Sequence, residues 1–101
     1  MKNSVAIVTG ASQGIGRSTA IRLARDFSAV VLAARNAKEL DEVAAVVQKA
    51  GAEPLSLAVD LSQIEASNIV VNTTLERFGR IDALLNIAGA VPQIDHLRDD
   101  G

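Results

Sequence analysis

Thr9-Gly10-Ala11-Ser12-Gln13-Gly14-Ile15-Gly16 places three glycines between two segments of opposite character. Before it, Ser4-Val5-Ala6-Ile7-Val8-Thr9 is a short, continuous apolar run, the pattern of a strand buried on both faces. After it, from Gly14 to Phe27, Ile15, Ala20, Leu23, Ala24 and Phe27 recur at helical spacing with Arg17, Arg22 and Arg25 between them. Strand, glycine turn and helix in that order open a βαβ unit. Gly10 suits a sharp turn that a β-carbon would resist. Gly14 leaves no side chain between the backbone and an approaching phosphate, and Gly16 lets the helix pack close to the sheet. Backbone N–H groups and the positive end of the helix then converge on one place, which favours a pyrophosphate. Ser12 and Gln13 add side-chain donors. The spacing is neither G-x-G-x-x-G nor a P-loop, since no Gly-Lys-Ser/Thr follows. A tight turn that binds nothing remains the alternative at this point.

Working outward, the alternation repeats. Ala29–Ala34 reads as a second strand and Ala37–Ala50 as a second helix, with Leu40, Val43, Ala44 and Val47 on one face and Gly51 as its stop. Pro54–Val59 reads as a third strand, with Pro54 at its start where a missing N–H does least harm. Gln63–Phe78 reads as a third helix with an apolar stripe of Val71, Thr74, Leu75 and Phe78, a capping box of Ser62 with Glu65, and Gly79 at its end. Ile81–Asn86 is a fourth strand, and no period is evident from Ala88 to Gly101. The order β-α-β-α-β-α-β implies an α/β fold, a Rossmann-like doubly wound parallel sheet with helices on both faces. Residues 1–101 are expected to form one dinucleotide-binding part of a single such domain.

Composition narrows the function classes. Of 101 residues, 49% are hydrophobic and 22% charged, which suits a globular chain rather than a disordered one. The ten Lys and Arg are dispersed and the net charge is -2, so no nucleic-acid partner is expected. Zero cysteines exclude disulfides, zinc–thiolate sites and thiol nucleophiles, and no metal site is expected. No apolar run approaches the roughly 18 residues of a membrane helix, and a cytoplasmic location is the default expectation. His96, the single histidine, sits among Asp95, Arg98, Asp99 and Asp100 and reads as a solvated loop residue.

Thr-Gly-x-x-x-Gly-x-Gly at Thr9–Gly16 resembles the cofactor motif of the short-chain dehydrogenase/reductases. Val59-Asp60-Leu61 resembles that family's acidic adenine contact after the third strand, and Asn86-Ile87-Ala88-Gly89 its Asn-Asn-Ala-Gly motif after the fourth. The wording is most similar to the 3-oxoacyl-[acyl-carrier-protein] reductase-like members. The resemblance implies a dinucleotide held by Gly10, Ser12, Gln13, Gly14, Ile15, Gly16, Arg35, Asp60, Leu61, Asn86, Ala88 and Gly89. It implies Asp60 accepting from the adenine amino group, Leu61 packing beside the base, a structural Asn86, and a close backbone approach at Ala88-Gly89. Ile87 departs from the family's second Asn, and Ser28 stands where many relatives have a glycine.

At the end of the second strand, NAD binding usually uses an acid, whereas a nearby Arg accommodates the 2′-phosphate of NADP. Ala34 and Arg35 stand there. A guanidinium holds a phosphate through paired charge-assisted bonds, so NADP is expected over NAD. The resemblance further implies hydride transfer between that cofactor and a carbonyl or secondary alcohol, performed with a Tyr, Lys, Ser and Asn on later segments, in a parent that is a homo-oligomer. This chain contains no tyrosine, so no catalytic residue is assigned in it, and it is expected to be the cofactor-binding half of a longer enzyme, marginal or aggregation-prone by itself. A non-catalytic nucleotide-binding module and a purely structural fragment are the alternatives.

Overall fold

β1 (Val5–Thr9) and β2 (Ala29–Ala34) are buried at every position, as continuous aliphatic runs require when both faces are covered. They form the centre of the sheet in the computed structural model, which describes residues 3–11 and 14–87. β3 (Glu53–Ala58) and β4 (Ala83–Asn86) flank them, giving the order β3-β2-β1-β4 with every pair parallel. Both outer strands are only partly buried.

Three helices, α1 (Gly14–Leu23), α2 (Ala37–Lys49) and α3 (Ile64–Phe78), connect the strands. α1 and α2 cover one face, where Ala20, Ala24, Leu40, Val43 and Val47 pack on Val8, Val30 and Leu32. α3 lies on the other, with Val70 against Val5, Ile7, Val31 and Ala33. The change of face follows from the topology. From β1 the chain steps to β2 and β3 on one side, then returns to place β4 on the other side of β1. A crossover of constant hand puts its helix on the opposite face when the direction reverses.

The expected element order is found, and the differences are local. α1 stops at Leu23 rather than Phe27, because the N–H groups of Arg25 and Asp26 turn to the carbonyls three residues back, Arg22 and Leu23, at 3.2 and 3.0 Å. Ile15 is not in the α1 core stripe; it is 74% exposed. The buried face of α3 is Ala66, Val70 and Thr74, so the stripe is turned from the expected one and Leu75 is exposed. The Thr74 hydroxyl is satisfied within the helix by donating to the Val70 carbonyl at 2.7 Å. Ser62 does not cap α3. The N-cap is Gln63, without a side-chain bond, and the Ser62 hydroxyl donates instead to the Asp60 carboxylate, a stronger acceptor close by. Ser28 escapes the conformation that a glycine would serve: the positive φ angles among the described non-glycine residues are confined to Asn3. It exchanges hydrogen bonds with Ser4, each backbone N–H donating to the other's hydroxyl oxygen.

The start of β4 is clasped to the start of β1. The Asp82 N–H donates to the Val5 carbonyl at 2.8 Å, and the Val5 N–H donates to Asp82 Oδ2 at 2.8 Å. Arg80 closes a two-pronged bond on the same carboxylate, from Nε at 2.9 Å and Nη2 at 2.7 Å.

Candidate functional site

β1 and β4 leave the sheet's midline with their C-terminal ends side by side while the chain's helices go to opposite faces. Open α/β sheets form a crevice at such a switch point. The glycine turn lies at this place. Gly10 takes φ +74° and Gly14 φ +62°, both in the left-handed region. The N–H groups of Gly10 and Ala11 are used by the fold, donating to the Ala33 carbonyl at 2.7 and 3.4 Å. They anchor the turn to the end of β2, which leaves a ligand to the first-turn N–H groups of α1, where intrahelical partners are lacking by construction. Gly14 is exposed and a β-carbon on it would meet none of the described residues within 4 Å, which leaves room for an approach to those groups. A β-carbon on Gly16 would lie 1.8 Å from the Gly10 carbonyl oxygen. The contact of Gly16 is therefore with the turn itself, rather than with the sheet at large. Exposed Ile15 stands beside this turn. Ser12 and Gln13 lie outside the described residues.

Thr9 and Asn86 are register partners at the ends of β1 and β4. The Thr9 hydroxyl lies 2.9 Å from Asn86 Oδ1 and 3.3 Å from the Leu85 carbonyl, donating at that strand end. The bond joins the ends of the two strands. Between these ends and α3 runs a groove of about 140 Å³, walled by Leu61, Val70, Val71 and Leu84 with Thr9, Ser67 and Asn86 supplying the polar groups. Leu61 also packs against the apolar cluster under α3. Ala88, Gly89 and His96 lie outside the described residues.

Arg35 and Asp60 follow the ends of β2 and β3. Their spacing is set by the β2–β3 register, which runs to Ala34 opposite Ala58, and by the Val59 N–H donating to the Ala34 carbonyl at 2.9 Å. Both are exposed. The Asp60 carboxyl is held below its ordinary value, first by the Ser62 hydroxyl, then by the Ser62 N–H, with the Arg35 charge adding to the effect. A guanidinium and a carboxylate thus stand on the same rim, close enough for the charge of one to act on the other. Asn36 caps α2, its Oδ1 accepting from the Glu39 N–H at 3.0 Å. Sequence reasoning read Ser62 as a helix cap and passed over Asp82. The Asp-x-Ser pattern at Asp60–Ser62 was the available signal for the first, because Asp side chains accept from backbone N–H groups two residues on. Among the described residues no group of three His, Cys, Asp or Glu is placed to hold a metal, and no helix is long and apolar enough to cross a membrane.

Set beside known proteins, residues 4–100 match the family profile described as short chain dehydrogenase. An uncharacterised oxidoreductase of Listeria innocua is 35% identical over 99% of the chain and 41% of its own length. The short-chain reductase protein NovJ of Streptomyces niveus is 40% identical over 87% of the chain and 34% of its own length. Among solved structures, a metagenomic short-chain oxidoreductase in complex with NADP aligns with a TM-score of 0.77 at 39% identity, over 83% of this chain and 38% of that one. An NAD+-bound xylitol dehydrogenase aligns at 0.76 and 36% identity, over 81% and 32%. The chain therefore spans less than half the length of these relatives.

Proposed function

The chain belongs to the short-chain dehydrogenase family, and on that premise we propose that it binds NADP in preference to NAD, as the cofactor-binding part of an oxidoreductase acting on a carbonyl or secondary alcohol. The observation that carries the reading is the glycine turn at the switch point: two left-handed glycines, an open approach at Gly14, and a helix start held against the turn by Gly16. This cradle fits a pyrophosphate, which the first-turn N–H groups and the helix dipole favour. Arg35 is the cation for a 2′-phosphate, exposed at the end of β2. Asp60 accepts from the adenine amino group, with Leu61 beside the base. Asn86 is held by Thr9 at the end of β4, and Ser12, Gln13, Ala88 and Gly89 belong to the same reading as cofactor contacts.

When bound, the nicotinamide supplies or takes up the hydride at its C4. This chain's own residues bind and orient: they fix the phosphates, the adenine and the 2′-phosphate, which defines where the far end of the dinucleotide lies. No proton-transferring residue is assigned among them. In the whole protein the substrate is a carbonyl/alcohol pair, of which a 3-oxoacyl thioester is the example that the wording of the sequence resembles. A homo-oligomeric, cytoplasmic parent belongs to the same reading.

Calorimetric titration of the chain with 2′,5′-ADP and 5′-AMP tests it. We expect 2′,5′-ADP to bind about tenfold more tightly, the worth of one charge-assisted phosphate contact. Equal affinities would remove the NADP preference, and failure of both ligands and of NADPH to bind would remove the nucleotide site altogether.

A further inference from the structure

We propose that Ser62 is a positioning residue for Asp60: by holding one carboxylate oxygen it presents the other to the 6-amino group of the purine, and so sets a preference for a 6-aminopurine over a 6-oxopurine. The inference rests on the reading of Asp60 as the base contact.

Both Ser62 bonds end on the same atom. The Ser62 N–H donates to Asp60 Oδ1 at 3.0 Å and the hydroxyl donates to Oδ1 at 2.7 Å. Two donors fixed on one oxygen restrict both side-chain torsions of a carboxylate that, being exposed, has no packing to restrain it. The backbone beneath is pinned as well, because the Asp60 carbonyl accepts from the Gln63 N–H at 3.0 Å and Val59 is tied to β2. The orientation of Oδ2 is then set relative to the sheet. The surrounding groups agree with an ionised carboxylate: the Arg35 guanidinium and the Gln63 side chain both favour the charged form, and Ser62 does so most. An ionised carboxylate only accepts hydrogen bonds. It accepts from the amino group of adenine, whereas the oxygen at the same position of hypoxanthine sets two acceptors face to face. Discrimination of this kind depends on the carboxylate staying where it is, because a freely rotating one turns away from the unwanted oxygen at little cost.

The test compares 5′-AMP with 5′-IMP on the unmodified chain and on Ser62→Ala, Ser62→Thr and Asp60→Asn. We expect the chain to prefer AMP by about tenfold, and Ser62→Ala to lose about three- to fivefold of that ratio, the range of one hydrogen bond. Ser62→Thr, which keeps the hydroxyl, restores the ratio, and Asp60→Asn removes it. The NMR titration of the Asp60 carboxyl moves to higher pH in Ser62→Ala and not in Ser62→Thr, which shows that the hydroxyl bond is made, while the AMP/IMP ratio reads whether it positions the carboxylate. An unchanged AMP/IMP ratio in Ser62→Ala overturns the positioning role while the base contact stands. No preference in the unmodified chain overturns the base contact and this inference with it. Side-chain couplings that show Asp60 averaging over rotamers in the unmodified chain overturn the positioning role without any variant.

Discussion

Gly16 lies so close against Gly10 that the hydrogen on its α-carbon occupies space a methyl group cannot: the β-carbon position is 1.8 Å from the Gly10 oxygen and 2.6 Å from its carbonyl carbon. Backbone meets backbone here, so no side chain can give way. Gly16→Ala must push α1 off the turn, and we expect a loss of about 3 kcal/mol or more in chemical denaturation, at the upper end of overpacking effects. Gly14→Ala meets no neighbour and carries only the strain of a left-handed residue, about 1–2 kcal/mol. A Gly16→Ala variant as stable as Gly14→Ala would contradict the contact.

Arg35→Ala should act on one ligand and spare another. Affinity for 2′,5′-ADP is expected to fall about tenfold while that for 5′-AMP stays within about twofold, and added salt should weaken 2′,5′-ADP binding to the unmodified chain more than to the variant. Calorimetry at two ionic strengths reads both effects. Parallel losses for the two nucleotides would place the role of Arg35 elsewhere.

Asp82 gives a pH signature. Arg80 first, and then the Val5 N–H, hold its carboxyl below the ordinary value of 3.8. A group whose folded value is depressed stabilises the fold above the ordinary value and ceases to do so as pH falls through the folded one. Asp82→Asn is therefore expected to melt at a lower temperature than the unmodified chain at pH 7, and the gap is expected to narrow as pH drops below 3.8. Melting curves from pH 7 to pH 2.5 check this; a gap that is constant with pH would mean that the clasp does not depend on charge.

Thr9→Val removes the hydroxyl between β1 and β4 while keeping the shape. The Asn86 amide loses its partner on Thr9, and we expect a cost of about 1 kcal/mol in denaturant titration. A neutral effect would show that water replaces the hydroxyl fully.

The outer strand β4 carries Leu84, 57% exposed, across the groove from Val70 and Val71 of α3. An apolar residue on an edge strand invites pairing with another chain. Leu84→Lys is expected to lower self-association in sedimentation at high concentration, without shifting the melting temperature by more than a few degrees. An unaltered association state would exclude this face from the contact.

How much of this was legible in the sequence depends on what carried the signal. The β1 and β2 runs are aliphatic except for Thr9 at the end of β1, so their elements and the Gly10–Gly16 turn were readable directly. α2 was readable because Leu40, Val43 and Val47 keep a helical period and Gly51 stops it, whereas its N-cap Asn36 was not picked out. α3 was misphased: its largest aliphatic residues, Ile64, Ile69 and Leu75, stand outside, and the face that packs is chosen by small Ala66 and by Thr74. Hydrophobicity alone ranks these the other way. Ser62 was read as a cap because its spacing to Glu65 fits, and a competing carboxylate two residues back outbid the helix end for its hydroxyl. Contacts between residues far apart in sequence, such as Val5 with Asp82, left no local pattern at all.

The strand order has a consequence for how the chain assembles. β1 meets β2 at a separation of 24 residues, Val5 to Ala29, and β2 meets β3 at the same separation, Ala29 to Glu53. β4 reaches β1 only across 77 residues, Ala6 to Ala83. Closing the longer loop costs about 1 kcal/mol more in chain entropy. The first three strands can zip in the order in which a ribosome delivers them, whereas one side of β1 waits for β4. The crevice at the end of β1 is thus bounded on one side by a strand that arrives after β2 and β3 are already in place.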